Sequence, residues 1–265
     1  MIGDWTCFTS FNRRLYDIIA SEMLASWLYH WPQDARLVIY LEDAVPLPQD
    51  PRIEIRDWQT LCGPMWHAVD QVARDLPFWQ SDHTQRYTKK GMTFIHMLEQ
   101  QPGRVCWLDA DILTKKSIPD DLLDRAHDPA TAISLFNGSR PPVDGKGYLT
   151  AESGFVLINS EHDQFLPFLD SYRTYYTRAR MPKHAYLFWD GEILIQAARD
   201  SGSWFDLRTQ CRGKSSTPLH AHWLGEYMLH MKSKRKKHYD LETYRKFWRD
   251  GLDLATATTR FPWQK

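Results

Sequence analysis

Short apolar runs alternate with amphipathic stretches along the first part of the chain. Apolar residues recur at helical spacing between Leu15 and Leu28, and again over 87–100. Between these stretches stand runs such as 37–41 (Leu-Val-Ile-Tyr-Leu), which are typical of strands covered on both faces. The pattern predicts strands at 6–9, 36–41, 53–58 and 104–108 and helices at 15–28 and 87–100.

The pattern after this point predicts a second set of elements. These are strands at 130–135 and 154–158, a Pro/Gly loop at 140–146, and helices at 191–199 and 241–251. Asp190 is expected to cap the helix at 191–199. His220 and His222 are expected to alternate along a further strand. The order of elements predicts an α/β protein with a mostly parallel, Rossmann-like sheet flanked by helices and a smaller second sheet.

The composition does little to narrow the class of function. Apolar residues make up 43% of the 265 positions, enough for a sizeable core. Lysine plus arginine and aspartate plus glutamate both number 33, so the net charge steers the chain toward no class of partner. The four cysteines form no C-x-x-C pair, which indicates reduced thiols. Neither a leader-like amino terminus nor an apolar run of about 18 residues is found, so we expect a cytoplasmic protein without a membrane span.

Two carboxylates follow directly on one of the apolar runs. Asp109 and Asp111 stand after 104–108, at the carboxyl end of a predicted strand, the edge where open α/β sheets bind ligands. Acids two residues apart can approach one cation, and oxygen ligands suit Mg²⁺ or Mn²⁺. Such a site leaves positions for diphosphate oxygens. The alternative is that the two acids only turn the chain.

Three segments in this order resemble a known family. Residues 105–112 (Val-Cys-Trp-Leu-Asp-Ala-Asp-Ile) resemble the apolar strand and D-x-D signature of GT-A glycosyltransferases. Residues 152–159 (Glu-Ser-Gly-Phe-Val-Leu-Ile-Asn) are similar to the acceptor strand of the glycogenin and lipopolysaccharide galactosyltransferase group. Residues 190–194 (Asp-Gly-Glu-Ile-Leu) are similar to the D-Q-x-x-L-N helix start of that group. The resemblance spans most of 1–235.

The resemblance implies a metal-dependent enzyme with a GT-A fold. It would transfer a sugar, expected to be a hexose, from a nucleotide-diphospho-sugar to a hydroxyl acceptor, with Mn²⁺ or Mg²⁺ as cofactor and a UDP-sugar favoured. The implied organisation is one domain over 1–265. A nucleotide-sugar half at about 1–115 would precede an acceptor half at about 116–238 and a carboxyl-terminal helix and tail at 239–265.

The matches also assign residues. Asp109 and Asp111 become metal and diphosphate ligands, and Ser153 and Gly154 lie beside the donor sugar. Asp190 is expected to bind hydroxyls of that sugar.

The chain departs from the family pattern at three positions, where Glu152, Gly191 and Ile195 replace Asn, Gln and Asn. The stereochemical outcome therefore stays open. In inverting relatives an acid at this helix start is the general base, a role that Asp190 or Glu192 can fill. Helix capping is the alternative for both.

The family commonly supplies a late histidine as a further metal ligand, followed by basic residues that bind the diphosphate. His230, with Lys232 and Lys234, matches this arrangement. His220 and His222 compete with it for the metal.

Nucleoside contacts are expected after the first strand, at Thr9 and Asn12. In the helix before the metal strand, Lys89 is the candidate for the nucleotide, with Tyr87 and Lys90 as its neighbours. Surface positions are the alternative for all three.

The basic run at 232–237 exceeds what a diphosphate needs and suggests DNA as a partner, with a modified base as acceptor, as in phage enzymes. A saccharide acceptor and a merely solvated face are the alternatives. Other functions considered are a D-x-D phosphatase, which normally has Thr or Val where Leu113 stands, and a nucleotidyltransferase, whose Gly-rich triphosphate loop is missing. A non-enzymatic carbohydrate- or nucleic-acid-binding protein remains a further alternative.

Overall fold

The computed structural model of the protein describes residues 4–100, 103–143, 146–180, 188–213 and 217–231; of 139–143 and 146–149 it describes the backbone. Within these residues, seven strands form one sheet in the order β3-β2-β1-β4-β7-β6-β8, and β5 and β9 form a second, small sheet. The strands are β1 (Trp5–Phe11), β2 (Arg36–Leu41), β3 (Ile53–Asp57), β4 (Arg104–Leu108), β5 (Ile112–Thr114), β6 (Ile133–Val143), β7 (Lys146–Asn159), β8 (Trp204–Asp206) and β9 (Met228–His230).

The four strands β3, β2, β1 and β4 are parallel, whereas β7 is antiparallel to β4 and to β6. The apolar runs are buried on both faces because alternate side chains enter two separate cores. Cys7 and Leu37 belong to one core, while their chain neighbours Phe8 and Val38 belong to the other. The expected α/β class with a divided sheet is confirmed.

Helices cover both faces. They are α1 (Arg13–Leu15), α2 (Ser21–His30), α3 (Trp58–Leu61), α4 (Gly63–Ala73), α5 (Asp82–Gln100), α6 (Leu122–Ala126), α7 (Phe165–Thr177), α8 (Asp190–Ser201) and α9 (Pro218–Ala221), with a π-helical turn at Tyr16–Ala20. Met23 and Trp27 of α2 enter the first core, and Phe94, Tyr172 and Ile193 of α5, α7 and α8 enter the second. None of the helices in the described residues is long and apolar enough to cross a bilayer.

The predicted Pro/Gly loop at 140–146 is wrong. Strands β6 and β7 form a long antiparallel hairpin in which Val143 pairs with Lys146, and the register shifts between Arg140 and Val143. Pro141 and Pro142 fall at this irregularity. Among the described residues, the pairing of β6 with β8 ends at Leu135, so no described strand on that side requires an N–H from the two prolines.

The predicted strand carrying His220 and His222 is also wrong. Pro218 begins the short helix α9, which includes His220, and His222 caps a following 3₁₀ turn through its side chain. A proline at the first helical position already has the φ that a helix needs, and this local preference overrides the alternating pattern. Asp190 is the first residue of α8, so the N-cap position belongs to Trp189, which makes no side-chain cap, and not to Asp190 as expected. The predicted helix at 241–251 lies outside the described residues.

Candidate active site at the carboxyl edge of the sheet

The aspartates at the end of β4 are held in a tight turn. The amide of Asp109 donates to the carbonyl of Gly154 at 2.8 Å, and the amide of Ile112 donates to the carbonyl of Asp109 at 2.9 Å. The first bond continues the β4–β7 ladder by one residue, and the second starts β5. Asp109 and Asp111 therefore occupy fixed positions beyond the parallel strands, where ligands bind in sheets of this kind.

The small sheet brings a histidine to these aspartates. Ile112 in β5 pairs with His230 in β9, and the amide of Met231 donates to the carbonyl of Asp111 at 2.9 Å. His230 Nε2 lies 3.1 Å from Asp111 Oδ1 and 3.8 Å from Asp109 Oδ2. One ligand atom from each of the three residues lies within 4.8 Å of the others. Two carboxylates and an imidazole at this spacing can hold one divalent cation.

Gly154 makes the room for this cluster. A Cβ at this position would lie 2.5 Å from Cε1 of His230 and 3.2 Å from Oδ2 of Asp109. The first distance is a collision, so only glycine allows the imidazole to approach β7 while it faces the aspartates. The space left by Gly154 and the types of ligand atom thus both fit a cation held by Asp109, Asp111 and His230.

The two oxygens of Asp109 have different surroundings. Oδ1 accepts hydrogen bonds from Trp107 Nε1 at 2.7 Å and from Lys90 Nζ at 2.6 Å. Oδ2 is the oxygen nearer His230. Burial raises the pKa of Asp109, Asp111 raises it further, and Lys90 opposes both.

Lys90 is the central cation of the site. Its Nζ contacts Asp109 Oδ1 at 2.6 Å, Asp190 Oδ2 at 2.9 Å and the carbonyl of Ser153 at 2.9 Å, and it lies 4.9 Å from the centroid of the Trp107 ring. Burial opposes its charge, but the carboxylates of Asp109 and Asp190 more than offset burial and raise its pKa. Lys90 therefore stays protonated.

Lys90, and not the expected Lys89, reaches this cluster. Lys89 points elsewhere and pairs with Glu42 at 2.7 Å. A signal for Lys90 exists in the sequence, because it shares a helix face with Tyr87 and Phe94, three residues before and four after it. Phe94 packs against Trp107, the side chain next to Asp109.

Asp190 joins the site from the start of α8. Ser153 Oγ donates to its Oδ2 at 2.5 Å, and the carboxylate is 5% exposed. Gly191 allows this docking, because a Cβ there would collide with the carbonyl of Ala151 in β7. Glu192, two residues further along α8, is also buried.

Glu152 approaches the opposite side of His230. Its Oε1 lies 3.3 Å from His230 Nδ1. Burial disfavours the charged imidazole, but Asp111 and Glu152 outweigh burial and raise the pKa of His230 to about 9. The sequence predicted no role for Glu152, because its contact with His230 exists only after β7 and β9 have come together.

The other histidines lie outside the cluster. His220 Nε2 accepts a hydrogen bond from the backbone amide of His230 at 3.0 Å. His222 Nε2 pairs with Gln210 Oε1 at 2.9 Å, and its Nδ1 accepts from the amide of Leu224.

The expected nucleoside contacts have other surroundings. Thr9 is fully buried, and the side chain of Asn12 accepts from the amide of Leu15 at 2.9 Å as the cap of α1. Contact of either side chain with a nucleotide stays a prediction. Lys232 and Lys234 lie outside the described residues.

No protein-family model and no curated protein sequence matches the chain. Solved structures do match its fold. Mouse xyloside xylosyltransferase 1 is 14% identical, with 84% of this chain aligned to 91% of that one at a TM-score of 0.52. The mannosyltransferase Ktr4p of S. cerevisiae is 12% identical, with 77% of this chain aligned to 68% of that one at a TM-score of 0.50. The chain has the GT-A fold of glycosyltransferases, as the three sequence segments predict.

Proposed function

We propose that the protein is a metal-dependent glycosyltransferase that transfers a sugar, a hexose by our expectation, from a nucleotide-diphospho-sugar to a hydroxyl acceptor. One observation carries the proposal: Asp109, Asp111 and His230 come within 4.8 Å of one another at the ligand-binding edge of a GT-A fold. The fold favours this proposal over the phosphatase alternative, and the missing Gly-rich triphosphate loop disfavours the nucleotidyltransferase.

The donor set favours Mn²⁺ over Mg²⁺. Mg²⁺ prefers oxygen ligands only, whereas one of the three ligands here is an imidazole nitrogen. When bound, the cation would neutralise charge on the diphosphate leaving group. Asp109 offers Oδ2 to it, since Trp107 and Lys90 occupy Oδ1.

Asp190 is best placed to bind the donor sugar. Lys90 and Ser153 fix its carboxylate beside Gly154, and a carboxylate held by an ammonium is a good acceptor for sugar hydroxyls. We therefore assign Asp190 to sugar binding. Asp190 or Glu192 stays the proposed general base, with helix capping as the alternative for both.

A UDP-sugar is the favoured donor and cytoplasmic location the expected one; both rest on the sequence. Thr9, Asn12 and Lys89 remain the proposed nucleotide-binding residues, and Lys232 and Lys234 the proposed diphosphate ligands. The acceptor is a saccharide or, if 232–237 binds phosphates, a modified base in DNA.

The test is a panel of UDP-, GDP- and CDP-sugars with Mn²⁺, read by thermal shift and by release of the nucleoside diphosphate. One class of donor should stabilise the protein and be slowly hydrolysed in a Mn²⁺-dependent manner. Asp111→Asn should abolish both effects, while Asp163→Asn, an exposed acid before α7, should retain them. Absence of binding and hydrolysis across the panel would refute the proposal.

A further inference from the structure

We propose that Glu152 is a positioning residue for the metal site: its carboxylate holds the imidazole of His230 so that Nε2 faces Asp109 and Asp111. The inference rests on the proposed function, because it takes the cation of that function as its premise. It concerns a residue that the motif resemblance assigns no role, since the related strand has asparagine there.

The imidazole lies between carboxylates on opposite sides. Nδ1 is 3.3 Å from Glu152 Oε1, and Nε2 is 3.1 Å from Asp111 Oδ1. The His230 side chain is 4% exposed and that of Glu152 11%, so water has little access to the contact. A buried carboxylate is costly unless it has a partner, and His230 is such a partner.

The position of Glu152 favours one tautomer of the neutral His230 imidazole. A neutral imidazole carries a single N–H, and the nitrogen without it presents the lone pair that binds metal. With a cation on Nε2, the single N–H is on Nδ1, where the carboxylate of Glu152 lies 3.3 Å away and can accept it. Metal-bound histidines commonly donate their second N–H to such a group.

Two residues of β7 lie against neighbouring atoms of the His230 imidazole. Glu152 and Gly154 are two residues apart and so project from the same face of the strand. Gly154 leaves space at Cε1, and Glu152 meets the neighbouring Nδ1. At 3.3 Å the contact is an ion pair outside hydrogen-bond geometry, and Nδ1 has no hydrogen-bond partner among the described residues. We expect a hydrogen bond of about 2.9 Å to form there when a cation holds Nε2.

The experiment measures Mn²⁺ affinity by calorimetry, without donor or acceptor, for the wild type, Glu152→Leu and Glu152→Gln. Leucine removes the acceptor, and the affinity should fall about 10- to 100-fold. Glutamine keeps an oxygen at the same reach, and most of the affinity should return. Thermal melts without metal establish that each variant is folded.

A double-mutant cycle with His230→Ala separates positioning from a general loss of negative charge. If Glu152 acts through the imidazole, Glu152→Leu should change the residual affinity of His230→Ala by less than about 3-fold. The same 10- to 100-fold loss in both backgrounds, or wild-type affinity in Glu152→Leu, overturns the inference. A wild type that binds no Mn²⁺ contradicts the proposed function itself, whereas Mn²⁺ binding that Asp111→Asn abolishes and Glu152→Leu spares contradicts this inference alone.

Discussion

The indole of Trp107, near the end of β4, donates its N–H to Oδ1 of Asp109 at 2.7 Å. Asp109 directly follows β4 and is the first of the three candidate metal ligands in the chain. Residues two apart on a strand share a face, so the contact follows from local geometry. Its consequence is not local, because Lys90 takes the same oxygen and leaves Oδ2 for the side of His230.

Replacement of Trp107 by phenylalanine should therefore weaken Mn²⁺ binding about 10-fold, the usual effect of losing a hydrogen bond to a metal ligand. Trp79→Phe is the matched control, because the buried indole of Trp79 donates to Asp70 at 2.8 Å, outside the cation cluster. Calorimetry with Mn²⁺ should detect the loss in the first variant and not in the second. Equal affinities in both variants would show that the Trp107 contact does not orient Asp109.

Lys90→Met should destabilise the protein by about 3 kcal/mol, because the buried carboxylate of Asp190 and the partly buried one of Asp109 would lose their shared cation. It should also reduce donor hydrolysis strongly. Lys89→Met, one position away, loses the pair with Glu42 and the contact with the Trp58 ring, and it should have a smaller effect on both quantities. Denaturant unfolding and hydrolysis assays on the two variants test this order, and the reverse order would mean that Lys89 is the site residue.

Gly154→Ala should lower donor turnover about 100-fold, since the new methyl group displaces His230 from the aspartates. The control is Gly63→Ala at the start of α4, where a Cβ meets nothing closer than Gln59 Oε1 at 3.7 Å. That change should leave turnover intact. Normal Mn²⁺-dependent turnover by Gly154→Ala would show that His230 does not need the space left by Gly154.

Stability should depend on pH through His127. Burial lowers the pKa of this histidine from 6.5 to about 4. Below about pH 6.5 this histidine is protonated in the unfolded chain, whereas in the folded chain it stays neutral until about pH 4. The free energy of unfolding therefore falls as the pH drops from about 6.5 to about 4, by at most about 3 kcal/mol. The charged or titratable groups around it are Asp128, Arg104, Asp124 and His162.

Glutamine cannot bind this proton in either the folded or the unfolded chain, so the variant His127→Gln lacks this pH dependence. The free energy of unfolding, measured with denaturant at several pH values, should therefore fall less steeply between pH 6.5 and 4 than in the wild type. Identical slopes would mean that His127 titrates normally in the folded protein.

DNA as acceptor makes a separate prediction for 232–237. Neutralising Arg235, Lys236 and Lys237 should spare nucleotide-sugar hydrolysis but abolish DNA retention at about 50 mM salt, where phosphate contacts are strong. Retention by the unmodified protein should also fall steeply with added salt. If the unmodified protein retains no DNA at this salt concentration, the acceptor is a saccharide, a protein or a small metabolite.

The sequence predicts the local parts of this molecule well. The run at 104–108 is a strand, and the acids after it lie at the sheet edge, because both features depend on neighbours in the chain. Lys90 and Glu152 were not selected, since their partners lie on other elements and the rotation of α5 decides which lysine points inward. The hairpin at 140–146 was missed because the tolerance of β6 for prolines depends on where β8 stops.

The small sheet of β5 and β9 gives the cation site a dynamic property. Within the described residues it has three residue pairs; Asp111 directly precedes β5, and His230 is the last residue of β9. So short a ladder can open without unfolding the seven-stranded sheet, and each opening separates the two ligands. A bound cation would hold it shut, so occupancy of the site should be readable as slowed hydrogen exchange at the amide of Met231, which is bonded to the carbonyl of Asp111. Metal affinity and the exchange rate of one backbone proton would then report the same equilibrium.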